Sequence, residues 1–349
     1  MFVLIDGFRW QEMFDGADQA LMNKEQGGVQ NVDALKAAYG RDTPEARREA
    51  LMPFIWGVVA KQGQIFGNKD KGSIVQVTNA YRISYPGYSE MMVGYADPGV
   101  TSNEKRPNPN VTVLEWLHRM PRFRGTVAAF ATWDTVPYIL NRQRCGFYIN
   151  TGLEPVTCLR PTPELDLLNR LKTEVPFRWE GGCFDALTFY SAMAYFRQQK
   201  PRVLYLAFGE TDEWAHAGMY KEYLDAARRA DSYLRVLWDT AQSMPERRGK
   251  TTLIVVADHG RGDAPVEWKT HGKDVKGSEY VWLAVLGPDT AALGERSNTP
   301  ALTLSQVAAT LAAAVGEDYC AEIPAAAKPI ADVVAAKPVR ATAVTARAD

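Results

Sequence analysis

The stretch RVLYLAFGETDEWAHAG, residues 202–218, joins an apolar run, 203–208, to an acid and a histidine four residues apart, Asp212 and His216. The run has the length and residue types of a strand covered on both faces, and the polar residues after it read as the start of a helix. An Asp and a His at i and i+4 of a helix project to one side, so the pair is either a metal-ligand set or an ordinary polar helix start. Taken alone, DxxxH does not decide between them.

Other apolar runs end as abruptly: MFVLI (1–5), SIVQV (73–77), GTVAAF (125–130), TTLIVVA (251–257) and YVWLAVLG (280–287). Between them lie helical patterns: TPEARREALMPFIWGVVAKQG (43–63) with proline in its first turn, NVTVLEWLHRM (110–120), KEYLDAARRADSYLRVLWDTAQ (221–242) and LTLSQVAATLAAAVG (302–316). Strands alternating with helices predict an α/β three-layer sandwich, a mostly parallel sheet between helix layers. Ligands of such sheets bind beyond the carboxyl ends of the strands. The residues after the runs are Asp6, then Asp212 and His216, then Asp258 and His259, all of metal-ligand type.

Composition narrows the function classes. The chain has 349 residues, 46% of them hydrophobic, enough for a large core. Forty basic and 41 acidic residues leave a formal net charge of -1, which argues against a nucleic-acid surface or a polybasic membrane patch. No run of eighteen apolar residues predicts a membrane span. The strand expected at MFVLIDG has no export signal before it, so the protein is cytosolic or its signal is not contained in this sequence. Cys145, Cys158, Cys183 and Cys320 form no CxxC pair; buried free thiols are the expected state, with one or two disulfides as the alternative.

Of the four histidines, His118 sits in a helix pattern and reads as a packing residue. The others lie in loops beside acids or glycine. Asp258 and His259 are adjacent at a strand end, where side chains are expected to diverge, and His271 comes twelve residues on. Ser84, in ISYPGYSEMM, falls at a proline- and glycine-marked turn before an apolar helix, where free amides favour an anionic oxygen or a phosphoryl group. The bland alternative is a helix cap.

Asp6, Ser84 in SYPGY, Asn103 in GVTSN, Asp212 and His216, Asp258 and His259, and then His271 stand in an order that resembles the alkaline phosphatase superfamily, most closely its nucleotide pyrophosphatase/phosphodiesterase branch. The resemblance spans residues 1 to about 320. It implies one alkaline phosphatase-like catalytic domain over residues 1–324, with 104–200 contributing a substrate-side insertion; the alanine-rich stretch 325–349 reads as a flexible tail.

The resemblance further implies two zinc ions, one held by Asp212, His216 and His271, the other by Asp6, Asp258, His259 and Ser84; ligand type alone also admits manganese or iron. It implies that Ser84 is the nucleophile of a covalent phosphoseryl mechanism, with Asn103 and the amides after Ser84 binding a non-bridging oxygen. The implied partner is a small phosphate ester, nucleotides among the candidates, and the implied location is periplasmic or secreted.

Two departures stand out. SYPGY replaces the branch's usual Thr-Phe-Pro-Asn-His, with Gly87 and Tyr88 for the last two residues. Tyr88 also stands where a sulfatase motif needs arginine, which argues against a formylglycine sulfatase. No basic residue occurs from Ile83 to Glu104, which favours a diester over a dianionic monoester, although Arg82, Lys105 and Arg106 flank the segment. Tyr85, Trp133 and Tyr138 are either stacking surfaces or packing. A monoesterase, a headgroup transferase and a non-catalytic phosphate-binding protein are the alternatives.

Overall fold

In a computed structural model of the protein, residues 1–176 and 178–334 are described. Among them run strands β1 (Phe2–Ile5), β2 (Gln64–Phe66), β3 (Val75–Gln76), β4 (Val127–Ala131), β5 (Tyr148–Thr151), β6 (Val203–Phe208), β7 (Leu253–Val256), β8 (Tyr280–Val281), β9 (Leu283–Leu286), β10 (Gly294–Glu295) and β11 (Leu302–Thr303). Eight form one sheet in the order β10-β2-β9-β7-β1-β6-β4-β5, and β11-β3-β8 make a separate ribbon. From β7 to β5 every pairing is parallel, and β9 runs against both of its neighbours. Phe2, Val3, Leu4 and Ile5 are all fully buried. Because successive strand residues face opposite sides, this requires cover on both faces, as the α/β sandwich predicts.

Two apolar runs behave differently from expectation. SIVQV places only Val75 and Gln76 in a strand, and that strand belongs to the ribbon. Its burial alternates along 73–77, the pattern of a one-sided strand, whereas the central sheet takes runs buried on both sides. YVWLAVLG divides between the ribbon (β8) and the sheet (β9) at Trp282, whose indole N–H donates to the Phe8 carbonyl at 2.9 Å. Strands β2, β5 and β10 escape sequence reading because they are short and partly polar.

The helix expected over 43–63 is interrupted. Thr43 caps Pro44–Leu51, the chain breaks before Pro53, and it resumes as a wide turn, Ile55–Val59. Proline cannot donate inside a helix, and here buried Asp231 of the long Tyr220–Ser243 helix accepts the N–H groups of Phe54 and Ile55 at 2.8 and 2.9 Å. Residues 104–200 supply β4 and β5 together with helices Pro163–Glu174 and Asp185–Gln199, so this stretch builds one flank of the sheet.

The start of the expected flexible tail is packed. Ile330 and Val333 are buried, the Ile330 N–H donates to Thr310 Oγ1 at 2.9 Å, and Thr290 Oγ1 donates to the Val333 carbonyl at 2.7 Å. Two apolar anchors inside an alanine-rich run are enough to dock it; residues 335–349 lie outside the described residues. All four cysteines are free thiols. Among the described residues no helix is long and apolar enough to cross a membrane.

Candidate active site and metal centre

The carboxyl ends of β7, β1 and β6, three neighbouring central strands, deliver the acidic residues to one place. The Asp6 N–H continues the β1–β6 ladder to the Phe208 carbonyl at 3.0 Å. Helix Glu210–His216 begins directly beyond β6, and Asp212 Oδ2 lies 3.2 Å from His216 Nε2. Beyond β7 the chain leaves the pleat, so strand alternation no longer governs Asp258 and His259. The two converge, contrary to expectation, with His259 Nε2 at 3.3 Å from Asp258 Oδ2.

His259 stands between two ligand groups. Its Nε2 is 3.4 Å from Asp6 Oδ1 and 3.8 Å from Asp212 Oδ1. Asp6, Asp258 and His259 form one compact set, and Asp212, His259 and His271 another. His216 lies beside the second group, with its Nε2 3.0 Å from His271 Nε2. Ser84 Oγ is 3.3 Å from His259 Nε2, the histidine common to both sets. His118 is elsewhere, its ring against Phe147, as the packing reading expects.

The donor set fits cations. His259 Nδ1 and His271 Nδ1 lie 3.0 and 3.1 Å from the carbonyls of Gly260 and Arg82. A carbonyl only accepts, so each Nδ1 carries a proton, which leaves each Nε2 as the ring nitrogen that faces the carboxylates and can be offered to a cation. Asp6 Oδ1 and Asp258 Oδ2 are buried without a hydrogen-bond partner, which leaves each ready to bind a cation.

The electrostatics agree. Burial, then the charge of Asp212, pushes Asp6 well above the usual carboxylate range; burial and Asp6 do the same to Asp258. Burial also opposes ionisation of Asp212, but Arg261, His216 and His271 outweigh it and hold that carboxyl well below the usual range. Arg261 is the residue sequence reading missed. Its buried guanidinium donates to Asp212 Oδ1, to the Gly7 carbonyl at 3.2 Å and to the Lys269 carbonyl at 2.8 Å. Its only sequence signal is a basic residue two positions after His259.

Both departures in SYPGY have a structural cause. A Cβ on Gly87 would fall 2.5 Å from the Asp258 carbonyl oxygen, so glycine lets helix Ser84–Val93 approach the β7 end. Tyr88 is buried, and its hydroxyl donates to Asp6 Oδ2 at 2.8 Å, which orients the carboxylate. Tyr85 is a packing residue: its hydroxyl donates to the Arg106 carbonyl at 2.6 Å. Its N–H donates to Asn103 Oδ1 at 2.9 Å, leaving Asn103 Nδ2 as the free donor end. Since Pro86 has no N–H, the amides after Ser84 offer less to an oxyanion than expected.

A hydrogen-bonded chain ties helix Ser84–Val93 to His271. Buried Glu90 accepts from the N–H groups of Thr78 and Asn79, at 3.0 and 2.9 Å. Asn79 Oδ1 accepts the Arg82 N–H at 2.8 Å. Arg82 takes a left-handed backbone, φ 53°, that presents its carbonyl to His271 Nδ1.

The sequence model of the type I phosphodiesterase / nucleotide pyrophosphatase family matches residues 35–284. The chain belongs to this family. Its members are metal-dependent hydrolases of small phosphate esters within the alkaline phosphatase superfamily. Among curated proteins none matches the sequence. Solved structures share the fold at low identity. The alkaline phosphatase PafA has a TM-score of 0.59 at 11% identity, over 95% of this chain and 98% of that one. The lipoteichoic acid synthase LtaP of Listeria monocytogenes gives 0.56 at 11%, over 91% and 72%. The phosphonate monoester hydrolase SpPMH of Silicibacter pomeroyi gives 0.51 at 12%, over 91% and 73%. In this chain the Asp–His clusters and Ser84 lie together at the carboxyl ends of β7, β1 and β6.

Proposed function

We propose that the protein is a phosphodiesterase of the nucleotide pyrophosphatase type, with Ser84 as nucleophile and two zinc ions. One ion would be held by Asp6, Asp258, His259 and Ser84, the other by Asp212, His216 and His271. Cations held there would lower the pKa of the Ser84 hydroxyl and offset charge on the phosphoryl oxygens. Ser84 Oγ forms a bond to phosphorus while the bond from phosphorus to the leaving alcohol oxygen breaks. Water then cleaves the phosphoseryl ester and restores the hydroxyl. Asn103 Nδ2 donates to a non-bridging oxygen as it gains charge.

The observation that carries the diester preference is the state of the nearby cations. Arg82 pairs with Glu279 at 3.1 Å and Lys105 with Asp134 at 2.8 Å, while Arg106 pairs with Glu104 on its own loop and is 82% exposed. The extra negative charge of a monoester therefore finds no free side-chain cation among the three, and a monoanionic diester needs none. A periplasmic or secreted location belongs to the same proposal, supported by the family resemblance, and cell fractionation tests it.

The deciding assay compares zinc-loaded wild type and Ser84→Ala on bis-p-nitrophenyl phosphate and p-nitrophenyl phosphate. A Ser84-dependent preference for the diester is expected. Preference for the monoester would reassign the protein as a phosphatase, and rates indifferent to Ser84 would remove the nucleophile.

A further inference from the structure

A cleft of about 1020 Å³ opens at the carboxyl ends of β4 and β5, on the same edge of the sheet as Asp6, Asp212 and Asp258. Those strands continue the sheet from β6, so at about 4.8 Å per strand the cleft floor lies roughly 10 Å from the Asp212 helix. The link is physical. Trp133, just past β4, packs edge-on against Tyr88 with ring centroids 6.1 Å apart, and Tyr88 holds Asp6. Lys105, two residues after Asn103, lines the cleft.

Three features define what the cleft accepts. First, its charges cancel: Lys105, Arg142 and Arg178 face Asp134, Glu154 and Glu180. Two of these pairs are closed, Lys105–Asp134 at 2.8 Å and Arg142–Glu154 at 2.7 Å, so the lining offers little attraction to a second anion. Second, two polar atoms are unsatisfied. Thr151 is only 2% exposed, it lines the cleft, and its Oγ1 has no hydrogen-bond partner; neither has Asp134 Oδ1. As the side chains stand, both atoms are shielded from water, so a ligand meets them only when Thr151 and Asp134 turn toward the cleft. A hydroxyl then donates or accepts and a carboxylate oxygen only accepts, so the ligand presents donors to Asp134 and either role to Thr151. Third, Tyr138 and half-buried Trp179 supply apolar surface in a volume at the top of the roughly 300–1,000 Å³ usual for small-molecule sites.

We propose that this cleft is the subsite for an uncharged polyhydroxyl group, glycosyl or polyol, borne by the phosphate that Ser84 attacks; the assignment of that phosphate rests on the diesterase reading above. Neighbouring hydroxyls of such a group donate to Asp134 Oδ1 and exchange hydrogen bonds with Thr151 Oγ1, while its C–H faces pack on Trp179 and Tyr138.

Binding is measured separately from turnover, on the zinc-loaded Ser84→Ala protein, by saturation-transfer NMR. The probes are glycerol, myo-inositol, glucose, cellobiose and maltotriose, set against adenosine, uridine and inorganic phosphate. At least one neutral saccharide or polyol is expected to bind, and Thr151→Val and Trp179→Ala are each expected to weaken it at least fivefold. Thermal unfolding confirms that both variants fold; Trp179, half-buried, serves if Thr151→Val does not. Binding of nucleosides or phosphate in place of the polyhydroxyl probes, no binding at all, or binding indifferent to both substitutions would overturn the assignment. Saccharide binding without hydrolysis of either p-nitrophenyl ester leaves the subsite standing and sinks the reaction proposed above; hydrolysis without saccharide binding does the reverse.

Discussion

Replacing Tyr88 by phenylalanine removes one oxygen and nothing else. The ring keeps its place against Trp133, and the position stays buried. What goes is the 2.8 Å hydrogen bond to Asp6 Oδ2. Hydrogen bonds to charged groups are worth about 1.5–3 kcal/mol. At 1.4 kcal/mol per tenfold, that is roughly 10- to 150-fold in an equilibrium constant. Asp6 Oδ1 already lacks a hydrogen-bond partner, so no second donor compensates within the protein. The loss should therefore fall on the cation that Asp6, Asp258 and His259 are proposed to hold. Outer-shell partners of metal ligands are typically worth 10–100-fold in affinity, consistent with this range. Zinc titration against a competing chelator reads both sites. The expected result is one site weakened about 10–100-fold and the other, at Asp212, His216 and His271, unchanged. Two unchanged sites, or two equally weakened, would refute the orienting role of Tyr88.

Gly87→Ala forces a Cβ to within 2.5 Å of the Asp258 carbonyl oxygen, and overpacking of this kind costs about 1–3 kcal/mol; urea denaturation should show that loss together with reduced diester hydrolysis. Deleting residues 325–349 strips buried Ile330 and Val333 from the body, which at about 1.5–3 kcal/mol per side chain should lower stability by about 3–6 kcal/mol; an unchanged unfolding midpoint would show that these residues do not anchor. Asp185 is raised to about 7 by burial, then by Glu210, against bonds from Thr132 and the Gly209 and Glu210 amides. Its folded pKa exceeds the unfolded value, so it favours the folded state at low pH, and that advantage is lost as pH rises through about 7. Wild-type stability relative to Asp185→Asn should therefore fall between about pH 4 and 7, and denaturation midpoints that stay parallel would contradict the shift.

Much of the site was legible because strand-end chemistry is local. Asp6, Asp212, Asp258 and His259 each come after an apolar run that forms a strand buried on both faces. Asp212 and His216 share a helix face by spacing alone. The order of Ser84, Asn103 and His271 among them carried the family, which the match over residues 35–284 established.

What sequence could not supply lies in contacts between distant segments. The antiparallel direction of β9 is invisible in an all-apolar run, because burial on both faces looks the same in either direction. Arg261 carries no periodic signal, yet folding places its guanidinium on Asp212. The chain from Glu90 through Asn79 and Arg82 to His271 spans nearly two hundred positions, and a hydrogen bond has no sequence period at that range. Thr151 looks like any strand threonine; only the folded surroundings make its hydroxyl both buried and unpartnered. Sequence alone determined which residue types end the strands, since local pattern sets where strands stop. Tertiary structure decided which of those residues face one another, since that depends on strand order, and strand order is fixed by the packing of the whole sheet.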